Sequence, residues 1–388
     1  MRILQLVPYF PPYIGGQERY VYNLSKYLVR MDHEVHIITS NFPKSEEQEI
    51  MDGITIERHK CLARPFRNPI TPTFLTLGKK IKKFDVVHTH NEHSFAAMVA
   101  AYLRRKTDVP LILTCHGQLI FGSKMTDCFE RAYSRIIGRA IFKAADRIIS
   151  LSSSDLDYIS SLGIDPKKIS MLPNAIDPGE LFKMDSGTFK ADNPRNSFLQ
   201  GLNGKRIIMF VGPVIQRKGV EYLIKSIPKV LRKTGDNSVF VLVGGGDFLN
   251  QARQLTTEMQ INDHVIFTGR LTEEELIETY RCADLFVLPS LSEGLPTSIL
   301  EAMYFGLPVV ATDIPGVKDH FKDVALLVPP KNEDRLAEAI VKLLDDEELR
   351  RRLSKAGEEL VKRKYTWDVV AREYEKVYIE LLRCGGST

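Results

Sequence analysis

Residues 283–316, ADLFVLPSLSEGLPTSILEAMYFGLPVVATDIPG, hold one complete unit of an α/β protein. Leu285–Leu288 is an unbroken apolar run, the pattern of a strand covered on both faces. Pro289–Ser292 ends it as a turn. Pro296 suits a position at or just before a first helical turn, so a helix starts at Thr297. Pro308–Ala311 is the next strand. Strand, helix and strand at this spacing make a βαβ unit with parallel strands.

The same grammar extends both ways. Towards the C-terminus it adds Ala325–Val328; towards the N-terminus, Val265–Phe267, Val239–Val243 and Arg206–Val211. Residues 183–204 are polar, lack periodicity and contain Gly and Pro, so the linker is placed at 186–204. Before it the pattern repeats: Arg2–Val7, Glu34–Thr39, Val86–His88, Leu111–Thr114, Arg147–Leu151 and Lys168–Leu172. Gln17–Val29 is helical, with Val21, Leu24 and Leu28 on one face. Trp367–Leu382 is an amphipathic helix that needs a surface to bury against. The expected fold is therefore α/β: two Rossmann-like, doubly wound parallel sheets facing a cleft. The expected domains are 1–185, 205–366 after the linker, and a final segment 367–388.

Composition fits this. The chain has 388 residues, 44% hydrophobic and 26% charged, enough for two packed domains. A net charge of +4 is too small to announce a nucleic-acid binder. Residues 1–190 carry 26 Lys/Arg against 20 Asp/Glu, and the remainder 27 against 29, so the basic excess lies in the first half. That half could face an anionic partner, or the imbalance is chance. Five scattered cysteines without a C-x-x-C pattern point to reduced thiols in a cytosol-like compartment. The N-terminal run is too short for a signal peptide, and no stretch approaches the roughly 20 apolar residues of a spanning helix.

Four stretches could carry chemistry. Gly15-Gly16, after the first strand and at a helix start, could let amides approach an anion, or make a tight turn. Gly212-Pro213-Val214-Ile215-Gln216-Arg217-Lys218-Gly219 places Arg217 and Lys218 at the end of a strand. There they suit a diphosphate, or are solvated surface cations. Glu293 and Glu301 flank the start of the Thr297 helix, whose first amides, at Thr297 and Ser298, are open to phosphate. Glu301 can accept two ribose hydroxyls and Glu293 can meet sugar hydroxyls; alternatively a Glu there complements the helix dipole. His116 follows the strand Leu111–Thr114 and faces the cleft as a functional or a structural histidine.

Other signals are set aside. His88, His90, Glu92 and His93 resemble a metal cluster but lack a completing ligand set. Asp155-Leu156-Asp157 is a D-x-D, but Ser152–Ser154 precede it and helix capping explains it. Gly244–Asp247 lacks the third glycine of a dinucleotide fingerprint.

Together GGQE, TCHG, ADRIISLSSS, PNAID, VGPVIQRKG, VGGGD, FTGRL and the 283–316 stretch with its E-x7-E pair resemble the retaining glycosyltransferases of the GT-B fold. That group includes bacterial mannosyl- and glucosyltransferases and sucrose synthases. The resemblance implies that the second domain binds a nucleotide-diphosphate sugar, UDP-, GDP- or ADP-linked. Lys218, in the loop opened by Gly212, would hold the diphosphate. Arg270-Leu271 would lie against the base and Glu301 would bind the ribose. Glu293 and the backbone of Gly294-Leu295 would hold the donor sugar. Gly16 would approach the phosphates from the first domain, His116 would lie near the reacting sugar, and the final helix would cross back onto the first domain. His116, Lys218 and Glu293 are thus the expected catalytic residues.

One departure is Pro213, where the family commonly has Arg; Arg217 is expected to supply that charge. No metal or other cofactor is expected, since Lys218, a helix N-terminus and Gly16 could stabilise the leaving diphosphate, each donor worth roughly 3 kcal/mol. The resemblance favours same-face attack and retention of configuration. The acceptor is expected to be a hydroxyl, with a lipid-linked or cell-envelope glycan as one candidate. Thr73–Phe84, mixing apolar and basic residues, is either a solvated helix face or an interfacial anchor, giving a cytoplasmic enzyme with peripheral membrane contact through its basic N-terminal domain. The rival functions are a sugar-nucleotide epimerase, a phosphorylase and a non-catalytic nucleotide-sugar binder.

Overall fold

The computed structural model describes residues 1–13, 15–116, 132–179, 199–202 and 204–385. The chain divides into two compact units: Met1–Ala175 with Trp367–Thr388, and Ile176–Thr366.

The first unit is an eight-stranded sheet: β1 (Arg2–Leu6), β2 (Glu34–Ser40), β3 (Gln48–Met51), β4 (Ile54–His59), β5 (Val86–His90), β6 (Leu111–Cys115), β7 (Arg147–Ser150) and β8 (Ile169–Met171). Their order is β3-β4-β2-β1-β5-β6-β7-β8. All pairs are parallel except β3–β4. The hairpin β3–β4 is absent from the sequence expectation. Its edge strand QEIM is polar and half-exposed, with none of the continuous apolar character of a central parallel strand.

Helices Gly16–Arg30 and Trp367–Gly385 pack together on one face of this sheet. Trp367, Tyr374 and Tyr378 are buried there with Tyr20 and Leu24. The Tyr20 ring meets Trp367 edge-on at 4.9 Å, and its hydroxyl bonds that of Tyr374. The surface that the last helix needs is thus supplied by its own unit.

Thr73–Phe84 folds as two short turns, Pro72–Thr76 and Gly78–Ile81. Phe74, Leu77, Ile81 and Phe84 point into the core, while Lys79, Lys82 and Lys83 stay exposed. Leu75 between them is 48% exposed, so the segment presents one apolar side chain beside its lysines.

The second unit is a six-stranded parallel sheet: β9 (Arg206–Val211), β10 (Ser238–Val243), β11 (Val265–Gly269), β12 (Leu285–Leu288), β13 (Val309–Thr312) and β14 (Leu326–Val328). Their order is β11-β10-β9-β12-β13-β14. Strands β9 and β12 are apolar runs because helices cover both faces of the sheet. The helix Val220–Thr234 buries Val220, Leu223, Ile224, Ile227 and Val230 against it. Each such side chain contributes roughly 1.5–3 kcal/mol. The strand order reverses beside β9, between β10 on one side and β12 on the other. Open α/β sheets bind ligands at the carboxyl ends of the strands that flank such a reversal.

Candidate functional site

The loops that leave β9 and β12 meet at this switch point. The first ends in a tight turn, Gln216–Lys218, closed by Gly219 in the left-handed conformation (φ 66°). A Cβ on Gly219 would lie 2.0 Å from the carbonyl oxygen of Pro289, so only glycine lets the loops approach this closely. The Leu291 amide donates to the Arg217 carbonyl across the junction at 2.8 Å.

Two side chains converge there. Lys218 Nζ donates to Glu293 Oε1 at 2.5 Å, and Ser290 Oγ donates to the same oxygen at 2.6 Å. Both partners are nearly enclosed, with side-chain exposures of 11% and 7%. Low surrounding polarity strengthens the pair and makes removal of either partner costly. Arg217 is half-exposed; its guanidinium donates to the Ser292 carbonyl at 2.7 Å and lies 3.9 Å from Glu293 Oε2. It braces the Glu293 loop.

Glu301 stands on the helix Thr297–Tyr304, whose opening turn holds Thr297 and Ser298 and whose cap is Pro296. Tyr280 donates its hydroxyl to Glu301 Oε2 at 2.9 Å. The Tyr280 ring is buried and stacks on Phe305 at 5.3 Å, so the carboxylate is aimed by a fixed partner. Gly294 is exposed and Leu295 half-buried. Arg270 is exposed just past β11, beside Leu271, which packs on the core.

Backbone contacts lock these loops to one another. Gly212 donates to Val243, Gly244 to Gly269 and Val214 to Gly245. A Cβ on Gly244 would stand 2.0 Å from the Gly212 carbonyl, and one on Gly316 2.0 Å from that of Gly294. Gly244 and Gly246, after β10, thus serve loop packing.

In the first unit, Gly15 caps the helix Gly16–Arg30 in extended backbone. The Glu18 carboxylate folds back so closely that a Gly15 Cβ would meet its Oε2 at 2.2 Å. Glu18 is buried, which raises its pKa, and it already supplies negative potential to this helix end. His116 lies just past β6 and is half-buried. Its Nε2 is 3.0 Å from His90 Nδ1, and burial pushes its pKa down to about 4.

The other two sequence signals set aside also find structural uses. His88 and His90 are wholly buried and hydrogen-bonded to Thr114, Tyr378 and Gln5. Ser152 donates to Asp155 Oδ2 at 2.8 Å and accepts from the Asp155 amide, as a helix cap. Among the described residues, no group of His, Cys, Asp and Glu is arranged to hold a metal ion.

The structure brings Lys218, Arg217 and Glu293 into direct contact and places Glu301 on the helix that follows. Sequence reasoning missed Ser290, Thr312, Tyr280 and Gly316. Thr312 donates to the Ser290 carbonyl. Ser290 and Gly316 lie within the 283–316 stretch and could have been flagged as polar or glycine residues at strand ends. Tyr280 sits 21 residues before Glu301 in a separate helix, and no local pattern connects them.

Comparison with known proteins agrees with this architecture. The family described as Glycosyl transferases group 1 matches residues 192–360, and Glycosyltransferase Family 4 matches residues 14–180. UDP-Gal:alpha-D-GlcNAc-diphosphoundecaprenol alpha-1,3-galactosyltransferase of Escherichia coli is 31% identical over 71% of each chain. An uncharacterised glycosyltransferase of Methanocaldococcus jannaschii is 28% identical over 97% of this chain and 98% of its own. Among solved structures, HepE of Anabaena with UDP and glucose superposes with a TM-score of 0.78 at 17% identity, covering 98% of this chain and all of that one. Sucrose-phosphate synthase from Thermosynechococcus elongatus gives 0.73 at 22%, covering 99% and 100%. With its paired α/β units and these relatives, the chain belongs to the group 1 glycosyl transferases and is a glycosyltransferase of the GT-B fold.

Proposed function

We propose that the enzyme moves a hexose from a nucleotide-diphosphate sugar to a hydroxyl acceptor, with retention of configuration and without a metal ion. The carrying observation is the Lys218–Glu293 contact at the switch point of the second sheet. Lys218 meets the diphosphate, Glu293 and the Gly294-Leu295 backbone hold the sugar, Glu301 takes the ribose, and Arg270-Leu271 flank the base. The breaking bond joins the anomeric carbon to the diphosphate oxygen, and its electron pair leaves with the diphosphate. Lys218 and the first amides of the helix Thr297–Tyr304 stabilise that charge. The acceptor oxygen bonds to the same face and its proton passes to the leaving phosphate. Gly15, Gly16 and His116 of the first unit take the parts implied by resemblance, on the phosphates and near the sugar.

The donor reading draws support from the Anabaena neighbour, whose structure holds UDP and glucose. A thermal-shift screen of UDP-, GDP- and ADP-sugars selects the base. Product NMR tests retention: an inverted anomeric configuration refutes it. Turnover abolished by a chelator and restored by a divalent cation refutes metal independence.

A lipid-linked acceptor is proposed because the Escherichia coli relative is named for a diphosphoundecaprenol substrate. The proposed location is cytoplasmic and peripheral, and no described helix is long and apolar enough to cross a membrane. The first unit presents Lys79, Lys82 and Lys83 and, on the hairpin bridged at Ala63 and Ile70, an 88% exposed Phe66. Phe66 holds a left-handed backbone (φ 49°), a strained way to offer an aromatic ring to its surroundings. Co-sedimentation with anionic liposomes tests this contact; retention of binding in Phe66→Asp and in the triple Lys→Ala variant removes it.

A further inference from the structure

A hydrogen-bonded chain runs from His116 into the core of the first unit. His116 Nε2 lies 3.0 Å from His90 Nδ1, and His90 Nε2 lies 2.9 Å from Gln5 Oε1. Gln5 Nε2 lies 3.4 Å from His88 Nδ1, which is 2.8 Å from the Tyr378 hydroxyl. His88 Nε2 is 2.8 Å from Thr114 Oγ1. Gln5, His88 and His90 have no exposed surface. Burial keeps every ring neutral at neutral pH: His88 is pushed down to about 3, His116 to about 4, and His90 well below its ordinary range.

A neutral imidazole carries one N–H and one bare nitrogen, so the state of one ring dictates that of the next. Gln5 breaks the symmetry. Its carbonyl oxygen faces His90 and can only accept, so the His90 hydrogen is on Nε2. His90 Nδ1 is then bare, and the hydrogen that reaches it is on His116 Nε2. On the other side, the Tyr378 hydroxyl donates to His88 Nδ1 at 2.8 Å, with the Gln5 amide nitrogen farther off at 3.4 Å, and His88 Nε2–H donates to Thr114. Turning the Gln5 amide over would reverse the bonds to His90 and His116, so that His116 Nε2 accepts and its hydrogen moves to Nδ1.

We propose that Gln5, acting through His90, is a positioning residue that fixes His116 as the Nε2–H tautomer, so that a bare Nδ1 meets the substrate and selects a group that donates a hydrogen bond, a sugar hydroxyl. The selection rests on His116 facing the substrate, whereas the tautomer does not.

The test uses the full chain labelled with 15N-histidine, without ligand, at neutral pH. Long-range 1H–15N correlations are expected to show His116, His90 and His88 each with a protonated Nε2 and a bare Nδ1. A His116 proton on Nδ1 overturns the proposal. In Gln5→Leu the single tautomer of His90 and His116 is expected to give way to a mixture, with kcat falling about tenfold, the worth of one oriented hydrogen bond. Unchanged tautomers in that variant overturn the role of Gln5. Should Gln5→Leu not fold, the wild-type spectrum decides the tautomer alone. Full turnover by His116→Ala beside the expected wild-type spectrum overturns the substrate selection and leaves the tautomer standing.

Discussion

A lysine that is 11% exposed and already grips a carboxylate is a different reagent from a surface lysine. It is desolvated and aimed, and a diphosphate reaching it need not order a mobile chain. Lys218→Ala is therefore expected to lower kcat about a hundredfold, near 3 kcal/mol. It also leaves Glu293 with Ser290 as its near neighbour, so a urea melt should show lost stability as well. Turnover within a few-fold of wild type would refute the assignment of Lys218. Glu301 offers a cleaner measurement, because Tyr280 aims its carboxylate from a separate helix. Glu301→Ala is expected to weaken donor binding by about 1–3 kcal/mol by calorimetry. Tyr280→Phe keeps the charge and loses only the tether, so its cost should be smaller; equal donor affinity in all three proteins contradicts the ribose role.

At the scale of elements, the loops after β9, β10, β11 and β12 form one interlocked surface. Gly316→Ala tests this, since its new methyl would press on the Gly294 carbonyl from the start of the helix Pro315–Phe321. The expected result is a loss of about 1–3 kcal/mol in stability together with reduced kcat/KM, although Gly316 carries no chemistry of its own. Unaltered donor kinetics would show that the two loops move independently. The same elements show what a sequence can disclose. Arg206–Val211 and Leu285–Leu288 were legible to the residue, because a strand covered on both faces must be apolar throughout. The pair Gln48–Met51 and Ile54–His59 was not, because an edge strand with one wet face carries only a weak alternation. Lys218 and Glu293 were legible as loop residues, but their contact was not. They are 75 residues apart and meet only because β9 and β12 are neighbours in the sheet. Ser290 and Tyr280 stayed hidden for the same reason, since hydrogen bonds across a fold leave no periodic trace.

For the molecule as a whole, burial of neutral histidines ties stability to pH. His88, His90 and His116 titrate below their ordinary 6.5 in the folded chain, so the unfolded chain binds more protons at mildly acidic pH. Stability should therefore fall as pH drops from about 6.5 towards 4. Glu18, Glu92 and Asp155, raised by burial, act in the opposite sense, so the readout is a difference. His116→Asn should flatten the fall in urea midpoint across this window, and an identical slope in both proteins would contradict the linkage. The last helix carries a consequence of another kind. Trp367, Tyr374 and Tyr378 complete the core of the first unit, but they are translated only after Ile176–Thr366. At ribosomal speeds of roughly 5–20 residues per second, the N-terminal half waits on the order of ten to forty seconds for its closing piece. A nascent chain arrested before Trp367 should expose Tyr20 and its neighbours to chaperones and proteases, and expression of the first half alone should need the tail supplied by circular permutation.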